Sequence, residues 1–141
     1  MKKVFQQLIS KSYGDCTRAC LASILELPID AVPNFIRFGK NWFSVFYSFL
    51  KVLGCEYFGT GFPISEDRPK GDKLEDTPNI NGYVIGSVPS KNFKEMGHSV
   101  VINLKGKVVH DPSPKKQWQN VNVLKTKDLR HWMMIAKMEI E

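Results

Sequence analysis

Apolar residues recur at helical spacing in the first half of the chain and in short alternating or continuous runs in the second. Between 16 and 27, Ala19, Cys20, Ile24 and Leu27 repeat at helical intervals, Leu21 and Leu25 widen the face, and no Gly or Pro interrupts before Pro28. That pattern predicts an amphipathic helix. Gly14 allows a sharp bend into it, Asp15 is placed to cap its free amides, and Pro28 ends it. A second helix is predicted over 41–53. Asn41 would cap it, Gly54 would stop it, and Trp42, Phe43, Val45, Phe46, Phe49, Leu50 and Leu53 would form its apolar face. Aromatics at this spacing read as core.

Before the first helix, residues 1–13 form a lead-in whose Val4, Phe5, Leu8 and Ile9 can pack, and 29–35 reads as a turn with a short helical piece. Residues 55–58 suggest a short strand. The stretch 59–81, rich in Gly, Pro, Asp and Lys and without periodicity, reads as a long surface excursion. Strands are predicted at 82–88, 98–104, 107–111, 120–124 and 132–138, with a tight turn at Lys105-Gly106, Pro112 and Pro114 as stops, and Asp128 capping a turn. Helices precede strands, so the expected class is α+β, with helices packed on a mostly antiparallel sheet in one domain spanning 1–141.

Composition adds little to this picture and excludes more. With 43% hydrophobic and 24% charged residues, the chain has enough apolar surface to fold, which argues against disorder. No apolar run is long enough for a membrane span, and the basic start, Met1-Lys2-Lys3, lacks the apolar region of a signal peptide. A cytoplasmic protein with no membrane partner is expected. Three cysteines, at 16, 20 and 55, do not make a disulfide framework. The net charge of +6 would favour acidic partners, but the bases are scattered singly or in pairs such as Lys115-Lys116. A nucleic-acid partner therefore rests on charge alone and is not expected.

The candidate chemistry starts at Cys16. A thiol in the first turn of a helix sits where backbone amides and the helix dipole favour negative charge, which promotes the thiolate. A free cysteine is equally a small buried apolar residue. Partners alter the balance. His98 opens an apolar strand after Gly97, and the hairpin through Lys105-Gly106 returns Asp111 towards the same end. Imidazole and carboxylate can then pair, as a base and the group that orients it. Each alone reads as ordinary: His98 as a solvent-facing loop residue, Asp111-Pro112 as a turn. In the order Cys, His, Asp they point to a thiol enzyme. Cys20, one helical turn after Cys16, lacks further ligands at zinc spacing and reads as inward-packing. His110 would face away from Asp111 and reads as a surface residue, or as the base in a shifted register.

The run Gly14-Asp15-Cys16-Thr17-Arg18-Ala19-Cys20-Leu21-Ala22-Ser23-Ile24-Leu25, with His98-Ser99-Val100-Val101-Ile102 and His110-Asp111-Pro112, resembles the papain-like cysteine peptidases, in particular the bacteriocin-leader peptidase-like branch. Small phage-encoded proteins of this kind share the continuation seen here as Leu27-Pro28 and Val32-Pro33-Asn34-Phe35. The resemblance covers 4–35 and 97–114, and elsewhere only the overall layout.

The resemblance implies a papain-like fold with Cys16 as nucleophile, His98 as general base and then acid, and Asp111 orienting His98. Gln6, or Gln7 in its place, would be the oxyanion donor beside the Cys16 amide. Gln6 stands ten positions before Cys16, farther than leader peptidases place this glutamine. No cofactor is implied. The expected function is a peptidase, isopeptidase or amidase working through an acyl-enzyme, acting on a peptide or amide, including a host or phage protein, in the cytoplasm of a bacterial host. An acyl or amide transferase on the same triad is the alternative, as is a phage accessory protein that binds a host protein or nucleotide without turnover.

Overall fold

The computed structural model describes residues 1–7 and 15–138. The expected bend at Gly14 and the packing of Leu8 and Ile9 lie outside the described residues. Among the described residues five strands form one sheet: β1 (Cys55–Gly61), β2 (Tyr83–Pro89), β3 (Gly97–Asn103), β4 (Val108–His110) and β5 (His131–Lys137). Their order across the sheet is β1-β5-β2-β3-β4, and every neighbouring pair is antiparallel. Two α-helices, α1 (Cys16–Leu25) and α2 (Trp42–Val52), precede it. The α+β layout is as the periodicity predicts.

The sheet is buried on both faces, so Val100, Val101 and Ile102 of β3 are all fully covered. On one face, α1 presents Cys20, Leu21 and Ile24, and α2 presents Phe46 and Leu50, against Ile85, Val101 and Ile135. On the other, Val84, Val88, Val100 and Ile102 meet Leu74, Trp118, Val123 and Leu129. The 59–81 stretch is therefore not only a surface excursion. Leu74, Thr77 and Ile80 are buried, and Thr77 Oγ1 accepts from Trp132 Nε1 at 3.0 Å. An apolar pattern too sparse for a helix or strand still reaches both clusters: Leu74 joins the one away from the helices and Ile80 the one beneath them.

Local details refine the expected boundaries. The first helix ends at Leu25 rather than Leu27. Glu26 adopts a left-handed conformation (φ 56°), and the amides of Glu26 and Leu27 reach back to Ser23 and Ala22, a Schellman-type ending that precedes Pro28. Asp15 does not cap α1 through its side chain. Its carboxylate instead accepts from the Gln7 amide at 3.1 Å and lies 3.6 Å from Arg18 Nη1. The stretch 120–124 is not a strand: it meets Lys107 by a single bridge at Asn122. The face predicted for α2 is too broad. Only Phe46 and Leu50 are buried within it, while Trp42 and Phe43 are each 40% exposed. No single helix among the described residues is long and apolar enough to cross a membrane.

One packing contact fixes how β1 meets β5. Gly61 pairs in register with Trp132, whose side chain is fully buried. A Cβ at position 61 would overlap the indole ring. Gly61→Ala should destabilise the fold by about 1–3 kcal/mol, read as a lower denaturant midpoint at unchanged m-value. An unchanged midpoint would mean that the ring has room to move.

Candidate active site

Cys16 is the first residue of α1, which packs across β3 and β2. The helix head is pinned to the start of β3 by two contacts: Thr17 Oγ1 and Ser99 Oγ are 2.8 Å apart, and the Ser99 amide donates to Cys16 Sγ at 3.4 Å. His98, the residue before Ser99, thereby comes beside the sulfur and hydrogen-bonds with it.

The other side of the imidazole meets Asp111. His98 Nε2 and Asp111 Oδ1 are 2.7 Å apart, which leaves Nδ1 for the thiol. The pairing expected from a tight hairpin forms, though not as directly opposed residues. Asn103 accepts from the amides of Lys105 and Lys107 and closes the turn, and the β3–β4 register shifts between the pairs Val101–His110 and Ile102–Val108. Asp111 lies just past β4, a diagonal step from His98. Its carboxylate, almost wholly buried, also accepts from the Ser113 amide (3.0 Å) and the Trp118 amide (2.9 Å).

These contacts set the charges. Burial pushes the Cys16 thiol up, but the His98 hydrogen bond and charge and the Ser99 amide outweigh it and hold the thiol below its ordinary value. Burial alone would lower His98; hydrogen bonds and charge from Asp111 and Cys16 raise it to about 9. Asp111 is likewise raised by burial, yet its bonds from His98, Trp118 and Ser113 keep it below the usual carboxylate range. The Cys16 thiol is thus shifted towards its anion, beside an imidazole that stays protonated up to about pH 9 and a carboxyl group held towards its ionised form. Cys20 and Cys55 go the other way, since burial pushes both thiols up. Cys20 packs in the core as expected. Among the described residues no group of three or more His, Cys, Asp or Glu gathers as a metal site would require.

Gln6 is tied to the same corner through its backbone. Its amide donates to Pro112 O at 3.0 Å, one residue past Asp111. Its side-chain oxygen is buried, whereas Gln7 is exposed, which favours Gln6 over Gln7 as the inward residue. His110 departs from expectation. It is fully buried and not at the surface, because the N-terminal segment lies over it: His110 Nε2 donates to Val4 O at 2.6 Å, and the Phe5 ring meets the imidazole edge-on. Its desolvation lowers its pKa, so it is neutral at pH 7, and its bond to Val4 leaves the role of base to His98.

Other contributors carry no motif. Ser99 acts through its backbone amide, and Trp118 and Ser113 through theirs. A cavity of about 250 Å³ opens beside Cys16, with walls from Asn34, Phe35, Ile36, Trp42 and Met133. Neither 59–81 nor 89–97 contributes to it. The aromatic start of α2, read from sequence as core, is in part this wall; Trp42 lies within the same helical stripe as Phe46 and Leu50, so no sequence signal sets it apart.

Iodoacetamide should label Cys16 well below the pH at which Cys20 and Cys55 react, as mapped by peptide mass spectrometry. The raised His98 pKa works in the opposite direction at the alkaline end. Imidazolium persists to about pH 9 and is lost above it, so any acid-assisted turnover at this site should decline as pH rises through about 9. Equal labelling of all three thiols would remove the charge assignment. No protein-family model matches this chain, and no curated protein or solved structure matches it either.

Proposed function

We propose that the chain is a thiol hydrolase with a papain-like arrangement, cleaving a peptide, isopeptide or related amide bond. One observation carries this reading: a buried carboxylate bonded at 2.7 Å to an imidazole whose other side meets a helix-head thiol of lowered pKa. Structural cysteines in a core have the opposite character, as Cys20 does.

In this reading the Cys16 thiolate attacks the carbonyl carbon, a C–S bond forms, and the carbonyl electron pair moves to oxygen. The oxyanion faces the head of α1, where the Cys16 amide and the Gln6 carboxamide stabilise it. His98 gives its proton to the leaving nitrogen as the C–N bond breaks. Water then adds to the thioester, neutral His98 takes its proton, and the C–S bond breaks to release the acid and restore the thiolate. Asp111 holds the imidazole in one orientation throughout and stabilises its charged form.

Hydrolysis of acyl-aminocoumarin amides is the direct assay. Cys16→Ala should reduce turnover to background while the melting temperature stays within a few degrees of the parent. Asp111→Asn should cost less, about a hundredfold in kcat, since the imidazole remains but loses its anchor. Parent-like activity in Asp111→Asn would take that residue out of the mechanism, and residual turnover in Cys16→Ala would take out the nucleophile.

A further inference from the structure

The N-terminal segment is tied across α1 and the end of β4, and one imidazole sits beneath it. The Lys2 amide donates to Ser23 O at 3.1 Å and the Val4 amide to Ser23 Oγ at 2.9 Å, both on α1. The Gln6 amide reaches Pro112 O, just past β4. Between these ties His110 Nε2 donates to Val4 O at 2.6 Å, and the Phe5 ring covers the imidazole edge-on. The cover is thin. Met1 and Val4 pack against the core only in part, and Phe5 is 38% exposed. A segment held this way opens locally at a small part of the cost of global unfolding.

His110 is fully buried, and with its proton on Nε2 the other ring nitrogen, Nδ1, meets no partner among the described residues. A second proton would have to sit on Nδ1, as an N–H without an acceptor in a cation cut off from water. The charges that act on the ring come from its surroundings on three sides. Lys3 on the segment and Lys116 on the loop after β4 oppose a proton, and Asp111, next in the chain, favours one. The other elements packed here are uncharged at the contact: α1 meets the segment at Ser23, and β3 sets Val101 opposite His110. Because Val4 and Phe5 supply the cover, lifting the segment gives the ring back to water, where it charges at its ordinary value of 6.5.

We infer that His110 is a pH-sensitive latch: uncharged, it holds residues 1–7 across the end of β4, and on taking a proton it releases them, so that Gln6 leaves the candidate site. The open form alone binds the extra proton readily, so the closed form is favoured above pH 6.5 and weakens as pH falls below it. Cys16, His98 and Asp111 stay together, since their own contacts join α1, β3 and the end of β4. The latch stands independently of the hydrolase reading, whereas its effect on turnover, through Gln6, rests on that reading.

Amide exchange at Val4, Gln6 and Gln7 is measured by NMR on the intact protein and corrected for the intrinsic effect of pH. From about pH 7.5 to about pH 5 their protection should fall at least about fivefold, and by no more than about tenfold per pH unit, while the amides of β2 and β3 keep theirs. His110→Gln, whose carboxamide can donate to Val4 O but does not titrate, should hold protection constant over the same range. His110→Leu, without the donor, should lack that protection already at neutral pH. Constant protection in the parent protein would overturn the latch without recourse to any variant, and so would a fall that survives in His110→Gln. Hydrolysis of an acyl-aminocoumarin amide then tests the link to Gln6. At about pH 5 kcat should be at least about twofold higher in His110→Gln than in the parent, with alkylation of Cys16 by iodoacetamide, which needs no oxyanion donor, equal in the two. Identical acid limbs of kcat in both proteins would overturn that link. No turnover in either protein, with protection still falling in the parent, would overturn the hydrolase reading and uphold the latch.

Discussion

A carboxylate cannot be buried without replacing the water it loses, and Asp111 shows how much structure that demand organises. Both oxygens are supplied from the chain itself: His98 and the Ser113 amide meet one, and the Trp118 amide meets the other. Satisfying the first oxygen draws the start of β3 against the end of β4. Satisfying the second folds 113–118 back over the sheet, where Trp118 joins the apolar cluster on the face away from the helices. The negative charge kept there in turn raises the imidazole, and the imidazole lowers the thiol. Fold and reactivity follow from one electrostatic requirement.

Much of the scaffold could be read from the residues because its signals are local. The uninterrupted apolar repeat from Ala19 to Ile24, the Gly54 stop, and the valine-rich runs on either side of Lys105-Gly106 specify α1, the end of α2 and the β3–β4 hairpin through short-range chemistry. The order Cys16, His98, Asp111 was legible as well, and so was the approach of the last two, which the hairpin enforces. The meeting of Cys16 with His98 was not. It depends on α1 crossing the sheet, and no short-range pattern encodes a contact between residues 83 positions apart such as Cys16 and Ser99.

The misreadings share a cause. His110 alternates away from Asp111 as strand periodicity requires, but whether that face meets solvent depends on where residues 1–7 lie, which periodicity does not specify. The same holds for Trp42 and for Leu74. Local pattern reads Trp42 as core and 59–81, which carries Leu74, as a surface excursion, and each residue is defined by something distant: Trp42 by the opening beside Cys16, Leu74 by the second face of the sheet. Apolar character tells that a side chain seeks cover without telling which surface provides it.

The separation between the two halves of the site has a consequence for a chain still being synthesised. Thr17 and Ser99 lie 82 positions apart, and His110 and Val4 lie 106 apart. An emerging polypeptide thus carries its sulfur early and its imidazole late. Until translation has passed residue 99, that sulfur lacks both the imidazole and the amide that favour its anion, and it behaves as an ordinary thiol. The shift of the thiol towards its anion therefore waits on the strands that carry His98 and lead to Asp111.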